Sequence, residues 1–154
     1  MPEKKAIAKA REDKKEGKSA STQAGEFVRE QIHHIREGEH GARSTKQAIA
    51  IGLSEARRAG VKLKAPAKGE YPDEVRDKAE HDLEAGEHPH APSPTRSAAT
   101  KKALQKEGKN AASHASLSRQ AKSAANRRTS AERSASAQKA AQTRARNKEN
   151  GPRD

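Results

Sequence analysis

Thirty-three of the 154 side chains are Lys or Arg, against 21 Asp or Glu, and they are the residues here best suited to chemistry. Their chemistry is neutralisation of phosphate, driven by Coulombic attraction and release of condensed counterions. Sixteen side chains are the candidates. Arg43, Lys46, Gln47, Arg57, Arg58 and Lys62 belong to a central segment. Lys101, Lys102, Arg119, Lys122, Arg127, Arg128, Arg133, Lys139, Arg144 and Arg146 belong to the C-terminal part. Gln47 and Arg58 fall on one helical face with Ser54, and Gln and Arg are the side chains that hydrogen-bond adenine and guanine edges.

Other chemistries find less support. His81, Glu84, His88 and His90, or His33, His34 and His40, have ligand types. They fall on solvated faces, turns and a Pro-rich linker, where fixed coordination geometry is not expected. No metal or other cofactor is therefore assigned. The carboxylates of 70–87 have no apolar surroundings to shift a pKa. With no cysteine, no glycine-rich phosphate loop and no nucleophile motif, the chain is read as a non-enzyme, with no catalytic residue.

The elements that must position the cations follow from where the apolar residues are. Leu, Ile, Val and Phe number only 14, and mean hydropathy is −1.24. That inventory cannot offset backbone entropy along the whole chain. Nine of the 16 large apolar residues lie in 21–63. There, Ala24, Val28, Ile32 and Ile35 lie on one face of a helix over about 23–37, capped by Ser21 or Thr22 and stopped at Gly38. Ser44 and Gln47 have capping-box spacing for a second helix ending near Gly60. Its stripe is Ile49, Gly52, Leu53 and Ala56, with Gly52 permitting close approach. Ile51 points away and suits a homodimer contact or cover for Val61 and Leu63.

The expected fold is all-α: a short helical hairpin, an acidic helical connector and largely disordered or conditionally helical basic tails. The divisions are 1–20 (a basic flexible tail), 21–63 (the hairpin), 64–92 (the connector) and 93–154 (an Ala/Lys/Arg/Ser-rich tail). In the connector, Pro72, Asp73 and Glu74 start a helix whose stripe is Val75, Ala79 and Leu83. The last division carries 15 basic and 4 acidic residues. One helix-prone stretch runs over about 95–107 and one long one over about 112–146. Double-stranded DNA is the expected partner. Single-strand binders stack bases on aromatics, and this chain has only Phe27 and Tyr71. Structured RNA remains an alternative, because backbone contacts serve there too. No membrane role is expected, since the basic segments lack anchoring Trp, Phe or Leu.

The stretch Gly41-Ala-Arg-Ser-Thr-Lys-Gln-Ala-Ile-Ala-Ile-Gly-Leu-Ser54, within a longer segment of about residues 26–63, resembles a family of small basic bacterial proteins. These are usually labelled DNA-binding protein or plasmid stabilization protein. The resemblance implies a cytoplasmic, nucleoid-associated factor in plasmid maintenance, and supplies no catalytic residues. Residues and resemblance together give the expectation of a non-enzymatic protein contacting DNA mainly through its phosphates. The alternatives are a protein-interaction module, antitoxin-like or an assembly adaptor, with a solubilising tail, or an RNA- or ribosome-associated protein.

Overall fold

The computed structural model describes residues 4–149. Among these are seven α-helices, one 3-10 turn and no strand. The helices are α1 (Lys4–Lys15), α2 (Ala20–Glu37), α3 (Thr45–Arg58), α4 (Asp73–Glu87), α5 (Pro94–Gln105), α6 (His114–Asn126) and α7 (Ser130–Glu149). The 3-10 turn, Asn110–Ala112, precedes α6. The chain divides into two compact units after Leu117. No described helix is long and apolar enough to cross a membrane.

The α2–α3 hairpin is the centre of the first unit. Ser19 caps α2, its Oγ accepting the Thr22 N–H, one turn or less before the Ser21 or Thr22 read from sequence. The earlier start is fixed by Gln23, whose side-chain amide donates to the Lys18 carbonyl as the chain turns out of α1. Gly38 ends α2 in the left-handed region (φ 86°), where a side chain would be strained. On α2 the buried residues are Gln23, Ala24, Phe27, Gln31, Ile32 and Ile35.

On α3 the contact stripe is rotated from the expected one. Thr45, Ala48, Gly52 and Ala56 are buried, whereas Ile49 and Leu53 are only half-buried at its edge. Small residues win the central position because they allow the helix axes to approach closely. Gly52 is a point of close approach, where a β-carbon would meet the Val28 backbone.

Residues 1–20, expected as a basic flexible tail, contain α1, which closes one side of the hairpin. Ala6, Ala10 and Asp13, at helical spacing, are buried against it. Ala6 and Ala10 join Ala24, Phe27, Ala56 and Val61 in one apolar cluster, with Ile7, Leu53 and Leu63 at its margin. Counting large aliphatics missed this packing, because alanine supplies most of the surface.

The acidic connector is likewise a packed element. Ala79 and Asp82 of α4 are buried, and Gly86 lies directly against the Arg57 carbonyl of α3. Val75, expected in the stripe, is 46% exposed. Ile51 is half-buried, one turn before Ser54 on the side of α3 that meets α4.

Part of the stretch expected as a basic tail is packed. Ala111 and Ala112 are buried with Ile32, Ile35, Ala42 and Ala48 in a second cluster, which Leu117 also meets. The long helix expected over about 112–146 is two helices, broken at Arg127-Arg128-Thr129. Thr129 restarts the chain with a full capping box. Its Oγ1 accepts the Glu132 N–H, and the Glu132 carboxylate accepts the Thr129 N–H at 2.7 Å. That T-x-x-E signal was available in the sequence.

Candidate nucleic-acid interface

The candidate cations separate into three groups with different surroundings. The first, on α3 and just beyond it, is largely consumed by the fold. Arg57 is buried, and its guanidinium donates to the carbonyls of Leu63 (3.1 Å) and Lys64 (3.4 Å), pinning the chain that leaves α3. Burial lowers its pKa, with Asp82 acting in the opposite sense. Arg58 donates from Nε to Asp82 Oδ1 at 2.7 Å, and Ser54 Oγ donates to Asp82 Oδ2 at 2.6 Å. Asp82 is 1% exposed, so this carboxylate is matched by two donors out of solvent. Lys62 pairs with Glu87, whose pKa is lowered by that contact.

In the C-terminal half of the face formed by Gln47, Ser54 and Arg58, both Ser54 and Arg58 are engaged by Asp82 of α4, with Arg58 still 49% exposed. At the N-terminal end, the Gln47 side-chain oxygen accepts the Arg43 backbone N–H at 2.7 Å, while the Gln47 N–H donates to Ser44 Oγ. This is a capping box displaced by one residue, since the expected reciprocal partner is the cap residue's own N–H. Gln47 serves the helix start.

The second group is assembled by the tertiary fold. The Gly41 N–H donates to the Leu104 carbonyl and the Ala42 N–H to that of Gly108. Thr45 Oγ1 donates to the Ala111 carbonyl at 2.6 Å, and Arg36 Nε to that of Ala112 at 3.0 Å. Gly41 sits so close to the Glu107 and Gly108 carbonyls that no side chain would fit. These bonds lay 104–112 along the α2–α3 turn and bring Lys106 and Lys109 to the segment carrying Arg43 and Lys46. The Lys109 ammonium lies over Gly38, at the negative end of the α2 dipole. Lys106 and Lys109 were not among the sequence candidates, and no local pattern marks them. Lys101 and Lys102 stand exposed on α5, one turn before Leu104.

The third group lies on α6, α7 and the turn between them. Apart from Gln120 and Thr143, which are half-buried, the described residues from Arg119 onward are exposed. Arg133 folds back, its Nη1 donating to the carbonyls of Arg128 (2.7 Å) and Ala125 (3.4 Å), so it closes the C-terminal end of α6. Arg128 donates to Ser136 Oγ at 3.3 Å. Lys122, Arg127, Lys139, Arg144 and Arg146 form no ion pair among the described residues, nor does Lys148, which the sequence reading did not single out.

The histidines do not converge. His33 meets Glu37 at 3.1 Å, and His34 packs edge-on against His40 at 6.1 Å between ring centres. No group of three or more His, Asp or Glu side chains able to hold a metal ion occurs among the described residues. Phe27 is fully buried, and Tyr71 is 43% exposed at the start of α4.

No curated protein and no solved structure matches the chain. Residues 14–68, from the end of α1 through the hairpin, match the profile of DUF6496, a family of unknown function.

Proposed function

We propose that the protein is a non-enzymatic DNA-binding protein that contacts mainly the phosphate backbone, and that it serves as an accessory factor of the nucleoid or of plasmid maintenance. The observation that carries this reading is the contrast between its cations. Those facing α4 are neutralised by Asp82 and Glu87, whereas those of α5 and α7, with Arg43 and Lys46, stand in solvent with no carboxylate partner among the described residues. Unpaired cations in solvent are available to phosphates at little desolvation cost, and releasing counterions supplies the driving force. The buried Phe27 removes one of the two aromatics that could stack an unpaired base, which favours duplex over single strand. The nucleoid or plasmid setting rests on the resemblance of the hairpin segment.

The test compares two full-length variants on a random-sequence duplex at moderate salt. Replacing Lys139, Arg144, Arg146 and Lys148 together by Gln should lower affinity by about tenfold or more, because each lost phosphate contact weakens counterion release. Lys62→Gln should leave it unchanged. Equal affinity of the quadruple variant and the parent would refute the reading. A stoichiometric protein partner retained through nuclease and high salt would point to an interaction module instead.

A further inference from the structure

The cations of α7 are not spread at random around the helix. At ~100° per residue, Lys139 and Arg146 fall within ~20° of each other, and Arg144 and Lys148 within ~40°. The two pairs lie ~140–180° apart, on opposite flanks. On one side the arc between them holds Ala131, Ser134, Ala135, Gln138, Ala141, Gln142 and Ala145, all exposed, with Glu149 at the helix end. The helix has two charged edges and a low, almost uncharged face between them.

A helix with cations on one face can lie along a single row of phosphates. Cations on opposite flanks cannot all reach one row; they require an anionic wall on each side. The major groove of B-form DNA, ~12 Å wide, admits a helix between two phosphate walls, whereas the ~6 Å minor groove does not. The deep, narrow major groove of duplex RNA also excludes a helix. Resting on the phosphate-binding reading above, we propose that α7 seats along the major groove of duplex DNA. Lys139 and Arg146 contact the phosphates of one strand, Arg144 and Lys148 those of the other, and the alanine-rich face is directed at the groove floor. The Thr129–Glu132 capping box and the Arg133 bonds to α6 hold the start of this helix, so Arg133 is not one of the phosphate contacts.

The experiment uses the full chain and three duplexes of one sequence: plain DNA, DNA whose cytosines carry glucosylated hydroxymethyl groups that fill the major groove, and plain DNA saturated with netropsin in the minor groove. Affinity should fall about tenfold or more on the glucosylated duplex and stay near the plain value with netropsin. A bulky residue on the seating face, Ala145→Trp, should weaken binding to plain DNA, whereas Ala140→Trp on the far arc should not. Helix content by circular dichroism checks that both variants keep α7. Undiminished binding to glucosylated DNA, or equal effects of the two tryptophans, would overturn the groove seat and leave phosphate binding standing. Absence of salt-dependent binding to plain duplex would overturn both.

Discussion

Gly52 stands directly against the backbone of Val28: a β-carbon at position 52 would lie 2.6 Å from Val28 Cα and 2.8 Å from its nitrogen. Backbone cannot yield as a side-chain end can, so Gly52→Ala must push α2 and α3 apart. The expected cost is about 1–3 kcal/mol in chemical denaturation, the range for overpacked cores. Gly25, in α2, is the control, because a β-carbon there would meet nothing within 4 Å. Gly25→Ala should stabilise by roughly 0.5–1 kcal/mol through helix propensity alone. Equal responses at the two sites would show that the hairpin is not closed at Gly52.

Glu55 gives a pH signature. Burial raises its pKa, the nearby Glu30 adds to the rise, and a hydrogen bond from Gln31 at 2.8 Å partly opposes it. A carboxyl with a raised folded pKa favours the folded state most when protonated, and that contribution is lost as pH rises through the folded value. Glu55→Gln should therefore be more stable than the parent at pH 7, with the gain shrinking towards pH 4. Urea titrations at the two pH values check this. A variant destabilised equally at both would contradict it.

Asp82 joins α4 to α3 through Arg58 and Ser54. Asp82→Ala removes both bonds and leaves the part-buried Ser54 hydroxyl without this partner, so it should loosen α4 by about 1–3 kcal/mol. Native-state hydrogen exchange should show faster exchange in α4 with α2 little changed. Unaltered protection of α4 would mean that Asp82 is not what holds it.

The start of α7 depends on Glu132, whose pKa is lowered chiefly by the backbone N–H of Thr129. A lowered carboxylate contributes above its unfolded pKa, and the contribution fades as pH falls through the folded one. Carbon chemical shifts of residues 130–134 should move towards coil in Glu132→Ala at neutral pH, and in the parent only at acid pH. Helical shifts retained in the variant would show that the box is dispensable.

The hairpin was legible because its signals are local: the Ile32/Ile35 spacing, the Ser44 cap, and Gly38 and Gly60 as stops. Gly52 as the close-approach point followed from its place in the stripe. What escaped was packing made by small side chains. Ala6, Ala10, Ala111 and Ala112 look alike in sequence to the exposed alanines of α7, and only the tertiary partner distinguishes them. The same holds for charge. Nothing local marks Arg58 as paired and Arg144 as unpaired, because Asp82 lies 24 residues away from Arg58 along the chain. The docking of 104–112 on the α2–α3 turn was invisible for the same reason, since it depends on bonds such as Thr45 to Ala111.

The most direct measurement is the affinity of the full-length chain for a random-sequence DNA duplex as a function of salt. If exposed cations of α5, α7 and the α2–α3 turn engage 6–10 phosphates, affinity should fall roughly 10³–10⁵-fold between 50 and 200 mM salt, linearly in log–log form. Binding that is flat across that range, or no binding at 50 mM, would contradict a phosphate-driven protein.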